Sequence, residues 1–230
     1  MSDAFLIAIE GSDGTGKETQ SRLLKEWFLL KEKTVTSISF PRYKETAGGW
    51  ALWEALKGVN KDAYAFSEVD PLAASLLYAA DRRESLPFLK KQIATHDVVI
   101  FDRYVQSNLL HQGGKFVSDE DKNVFADMVH TLEHKLLKLP YPNVTLYLDL
   151  PVENAISRAE KRAAQKGETP DAVEVDHAYI RNSHEAGRFY AKKFDWLVIP
   201  CVRDDGYEYS REEVNSLVIG KLRTRLDLSF

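Results

Sequence analysis

Apolar residues along this chain fall into two alternating kinds of stretch. Five short runs, Phe5 to Ile9, Val35 to Ser39, Val98 to Phe101, Val144 to Leu148 and Trp196 to Ile199, are dominated by Val, Ile, Leu and aromatic residues. Such runs mark strands covered on both faces of a parallel sheet. Parallel strands need a crossover of a dozen or more residues, usually a helix, and the intervening stretches carry helical spacing. Residues 17 to 32 place Leu23, Leu24, Trp27, Phe28 and Leu30 on one broad face; residues 72 to 94 bring Leu76, Leu77 and Ala80 together, with Pro87 as a kink. Residues 119 to 138 align Val124, Met128, Leu132 and Leu136. The pattern predicts an α/β fold, a five-stranded parallel sheet flanked by helices in a single domain over 1–230. One polar, breaker-rich stretch, Lys161 to Asp176, separates a helix opened by Pro151 from another running to about Lys193. It predicts a short lid, about 158–176, rather than a domain boundary.

Composition narrows the class. At 230 residues, 44% hydrophobic and 29% charged, the chain is an ordinary globular one. Its net charge of −4 argues against bulk attraction to nucleic acid or to an anionic membrane. No apolar run approaches the roughly 20 residues of a membrane span, so a soluble, cytoplasmic protein is expected. The single cysteine, Cys201, leaves no intrachain disulfide to form.

Chemistry enters directly after the first strand, in Gly11-Ser12-Asp13-Gly14-Thr15-Gly16-Lys17-Glu18-Thr19. This Gly-x4-Gly-Lys spacing between strand and helix is a phosphate loop (P-loop). Its glycines let backbone N–H groups curl around an anion, the helix N-terminus adds its dipole, and Lys17 reaches the transferring phosphate. The hydroxyl that normally follows the lysine and faces Mg²⁺ is replaced by Glu18, with Thr19 one place later. The carboxylate could ligate the metal, repel the phosphates or point into solvent. A GTPase would need an Asn-Lys-x-Asp segment, and Asn60-Lys61-Asp62 has its carboxylate one position early. The third strand ends in Asp102-Arg103-Tyr104, where a doubly wound sheet places a metal-facing carboxylate and Arg103 can clamp a second phosphate.

The segments FLIAIEGSDGTGKETQ, FPRY, LLYAADR and DRYVQSN, in this order and spacing, resemble the thymidylate kinase family, with LYLDLPVE continuing the likeness more weakly. That resemblance implies a P-loop NTPase-type sheet, transfer of the γ-phosphoryl of ATP to dTMP with Mg²⁺, and a homodimer. It implies that Gly11 to Thr19, including Ser12, Gly14, Thr15 and Gly16, hold the ATP phosphates. Asp13 would also meet the sugar 3′-hydroxyl of dTMP, and Phe40, Arg42 and Tyr43 would flank the acceptor phosphate. Tyr78 would stack on thymine, Arg82 bond a base carbonyl, Arg103 hold the dTMP phosphate, Asn108 lie at the base edge and Gln112 line the same pocket. His111 falls where the family often has Tyr or Phe against the sugar. Asp102, with Glu18, is the metal candidate. Gly14 leaves the loop without an arginine, so a basic lid is expected to supply catalytic charge through Arg158 and Arg162, beside Lys161 and Lys166. Two alternatives stay open: a kinase for another nucleotide or deoxynucleoside, and a nucleotide-binding protein without turnover because of Glu18.

Overall fold

The computed structural model describes residues 4–57, 68–166 and 176–226, with side chains 159, 160, 162–166 and 226 left out. Asn60, Lys61 and Asp62 lie outside the described residues, as does the stretch 167–175 of the expected lid. Five strands form one parallel sheet: β1 (Phe5–Glu10), β2 (Val35–Ser39), β3 (Val98–Asp102), β4 (Val144–Asp149) and β5 (Leu197–Pro200), in the order β2-β3-β1-β4-β5. Side chains alternate across β1. Leu6 and Ala8 face a core shared with Phe101, Leu109, Phe125 and Tyr190; Ile7 and Ile9 face one shared with Leu24, Phe28, Ile199, Val214 and Val218. Both faces are therefore dry, which is why the strands read as unbroken apolar runs.

The helices are α1 (Lys17–Leu29), α2 (Ala47–Lys57), α3 (Pro71–Glu84), α4 (Leu86–Thr95), α5 (Gln106–His111), α6 (Asp119–His130), α7 (Val152–Lys166), α8 (His177–Lys193) and α9 (Arg211–Leu226). A π-helical stretch, Thr131–Leu136, follows α6. No helix among the described residues is long and apolar enough to cross a membrane.

Three expected faces turn out differently. Leu76, Leu77 and Ala80 point outward, and α3 instead buries Ala74, Ser75, Ala79, Asp81 and Arg82. Val124 and Leu136 are likewise exposed while Phe125, Val129 and Glu133 are buried. The inward polar groups are paired: Asp81 accepts from Thr46 Oγ1 and from the Arg42 amide, and Arg82 meets Glu133. Paired charges can occupy a core that unpaired ones cannot, and here they displaced the leucine stripe. Leu30 lies past the end of α1 and is exposed. Instead of a kink at Pro87, the helix breaks at Ser85 and restarts with the proline in its first turn, a position where the missing N–H costs nothing. The polar stretch from Lys161 begins as helix, α7 continuing to Lys166. Cys201 is fully buried beyond β5, and burial pushes its thiol up to about 12.

Candidate active site

The loop between β1 and α1 must turn its amides inward, and two glycines allow it. Gly14 and Gly16 sit at φ 81° and 90°, in the left-handed region where a side chain is strained, and α1 starts from Gly16. A helix begun this way offers unsatisfied N–H groups and the positive end of its dipole to the space above the loop. Lys17 folds back so that Nζ donates to the carbonyls of Gly11 and Ser12 at 2.9 and 2.8 Å. Burial pulls its ammonium down to about 8, and the Arg103 charge adds to the pull.

Asp102 ends β3 in register with Ile9 of β1 and Ser39 of β2. The chain then turns sharply, with Arg103 at φ 66°. Glu10, fully buried at the end of β1, holds the turn by accepting from the Tyr104 amide at 2.8 Å and Ser107 Oγ at 2.6 Å. The Arg103 guanidinium pairs with Asp13 and donates to His111 Nε2 at 2.9 Å. A guanidinium only donates, so Nε2 accepts and His111 is neutral. Burial first, then the Arg103 charge, lowers His111 to about 3, and its ring stacks on Tyr179 with centroids 5.8 Å apart. Burial raises the Asp102 carboxyl, Lys17 and Arg103 oppose the rise, and Glu18 and Asp13 add to it. The negative charge of Glu18 is thus felt at Asp102.

Arg158, on α7, lies over the loop: a Cβ placed on Gly16 would meet its Nη1 at 4.0 Å. Glu208 holds it there, accepting from Nε at 2.6 Å, and Asn154 donates to the other Glu208 oxygen at 2.9 Å. Asp13 through Gln20, Ser39, Asp102, Arg103 and Arg158 line one cleft of about 640 Å³, closed on the far side by Tyr209, Arg211 and Val214. Arg162 is on the same helix, but its side chain lies outside the described residues.

The residues expected at the acceptor form a second group. Tyr43 and Tyr78, half-buried, pack around Leu52, Leu56 and Ala74. Arg82 is buried with Nε and Nη2 donating to Glu133 at 2.5 and 2.7 Å. Asn108 Nδ2 donates to the same carboxylate at 2.8 Å. Gln112 is fully buried, and neither of its amide atoms has a hydrogen-bond partner. Arg42 donates to Glu45 at 2.5 Å and Ser85 at 3.1 Å, and lines a neighbouring cleft of about 390 Å³ with Pro41, Tyr43 and Phe88. The Phe40 ring sits in the core, 6.0 Å from the Tyr104 ring, and lines neither cleft.

Glu10, Glu133 and Glu208 are not announced by any local motif, since each accepts from partners distant in the chain.

A family model described as thymidylate kinase matches residues 9–199. The chain is 32% identical to a thymidylate kinase of Mycobacterium tuberculosis over 209 residues, covering 88% of this chain and 94% of that one. It is 35% identical over 200 residues to a probable thymidylate kinase of Saccharolobus solfataricus, covering 86% and 89%. The solved structure of thymidylate kinase from Candida albicans superposes with a TM-score of 0.67 at 21% identity, covering 98% of this chain and 94% of that one, which speaks for the fold alone. With phosphate loop, strand-end Asp-Arg pair and fold all in place, and a family model spanning most of its length, the chain belongs to the thymidylate kinase family.

Proposed function

We infer that this protein moves the γ-phosphoryl of ATP to dTMP, giving dTDP and ADP. The observation that carries the reading is the convergence of buried Lys17 with half-buried Asp102 and Arg103 on one loop-lined cleft, in a chain of this family. Phosphoryl transfer needs positioning and charge neutralisation more than covalent chemistry, and the site offers both. Backbone amides of Gly11 to Lys17 cradle the donor phosphates. Lys17 exchanges its two carbonyl contacts for phosphate oxygens, which restores its proton affinity. Arg103, fixed between Asp13 and His111, reaches the acceptor phosphate, while Asp13 is left to accept from a sugar hydroxyl. Arg158 lies above Gly16 to follow charge on the transferring group. No side chain needs to act as an obligatory base.

Two neighbouring carboxylates, one with raised proton affinity, and the Ser39 hydroxyl suit a small hard cation that takes oxygen ligands and shares the rest of its shell with phosphates and water. Asp102 and Glu18 would hold Mg²⁺, which when bound neutralises charge between the donor phosphates. Glu18 is exposed at the cleft rim rather than wedged beneath the phosphates, which favours turnover over a binding-only role. Gln112 supports an acceptor pocket, since a buried amide with no partner is costly unless a ligand satisfies it. The exposed Leu72, Leu76 and Leu77 of α3, next to Trp50 and Trp53 of α2, support pairing with a second copy of the chain. Nothing in the charge balance calls for nucleic acid or membrane, and the lone buried thiol suits a reducing cytoplasm.

The test is a coupled assay for ADP release across the nucleoside monophosphates, with ATP and Mg²⁺. dTMP is expected to be turned over well ahead of dCMP and dGMP. Equal rates with all of them, or none with dTMP, would overturn the reading.

A further inference from the structure

The carboxylate of Glu133 is completely buried, yet it contacts no phosphate-loop residue. It accepts from Arg82 through both Nε and Nη2 and from Asn108 Nδ2. Arg82 Nη1 also donates to the Tyr104 carbonyl at 3.3 Å, and Asn108 Nδ2 reaches the Ser75 carbonyl at 3.4 Å. Ser75 and Arg82 bracket Tyr78 on α3 by about one helical turn on either side. One carboxylate therefore fastens two side chains from different helices beside the aromatic ring that marks the base pocket.

The chemistry of the pair bears on what it can recognise. A guanidinium has five N–H groups, and three are engaged by Glu133 and Tyr104. Its positive charge is balanced at 2.5 Å, so what it offers a ligand is a directed, neutralised donor, suited to the carbonyl of an uncharged base rather than to another phosphate. Glu133 lies in the π-helical stretch Thr131–Leu136, where Leu137 N bonds Leu132 O at 2.9 Å. Such single turns are frequent at functional sites.

We propose that Glu133 is the positioning residue of the base pocket, holding Arg82 and Asn108 together in the geometry that reads a base carbonyl. This rests on the thymidylate kinase reading above. Glu133→Gln keeps the shape but removes the charge and places an amide donor against other donors. In that variant the KM for dTMP should rise about tenfold or more, the range set by losing a charge-assisted hydrogen bond. The kcat and the KM for ATP should stay within about threefold, since neither the phosphate loop nor Arg103 touches Glu133. The preference for dTMP over dCMP, which lacks the 4-carbonyl, should shrink. Because Glu133 acts largely through Arg82, adding Glu133→Gln to Arg82→Ala should raise the KM for dTMP less than it does in the wild type. Calorimetric titration with dTMP should show the same loss without turnover.

A folded Glu133→Gln protein with unchanged KM and base preference overturns the role, as do losses that simply add in the double variant. If Glu133→Gln does not fold, Glu133→Asp, which keeps the charge one methylene short, carries the same expectation and the same power to refute. A wild-type protein that releases no ADP with dTMP overturns the functional reading and this role with it. Activity in the wild type with an indifferent Glu133→Gln overturns this role alone.

Discussion

Lys17 carries its charge in a nearly closed pocket, and that has a consequence for pH. Burial and the Arg103 charge lower it to about 8 in the unliganded protein, so the free enzyme loses the cation as pH rises through 8, where an exposed lysine would keep it. The kcat/KM for ATP reports free-enzyme ionisations and should fall above about pH 8. The kcat should persist to higher pH, because bound phosphates favour the charged form. Lys17→Ala should lose about 10²–10³ in kcat together with this alkaline limb. A flat kcat/KM profile from pH 7 to 10 would contradict the assignment. For stability the sign is opposite: the cost of enclosing a protonated Lys17 is fully present below about 8 and fades as pH rises toward its ordinary 10.5.

At the scale of elements, the strands and the phosphate loop were legible because their signals are local. Val98 to Phe101 reads as a strand from its own composition, and Gly11 to Lys17 reads as a loop from its own spacing. The inner faces of α3 and α6 were not. Periodicity selects the stripe with the most leucines, while the structure selects the stripe whose polar members find partners; Arg82 and Glu133 are 51 residues apart, a pairing no local pattern can show. The same holds for Arg158, a residue of the expected lid, and Glu208, which accepts from it 50 residues on. The leucines displaced from the core leave the outer face of α3 apolar and exposed. The proposed pairing through α3 predicts a wild-type dimer in sedimentation velocity that Leu76→Asp reduces to a monomer, with the far-ultraviolet circular dichroism unchanged. A wild-type monomer at micromolar concentration would remove the case for pairing through α3.

The molecule as a whole is a sheet dry on both sides, with the candidate site gathered at one end of β1 and β3 and the residues proposed for the acceptor on the helices beyond. Arg158 and Glu208 tie α7 to the segment between β5 and α9, so one side of the cleft is spanned by parts of the chain that meet only in the folded state. Cys201 lies in the core shared with Val214 and Val218 of α9; its side chain lines neither cleft, and its carbonyl accepts from the Tyr209 amide at 3.0 Å. Its thiol, pushed up to about 12, is shielded from alkylating reagents until the packing of α9 against the sheet is lost. Labelling kinetics at this one atom therefore time the opening of the whole core. Under native conditions the modification rate should follow global unfolding, steepening with denaturant as the equilibrium does, and saturating ATP should slow it by mass action. Rapid native labelling, insensitive to nucleotide, would mean that α9 lifts off on its own. The protein carries a built-in clock for its own breathing, readable without introducing a probe.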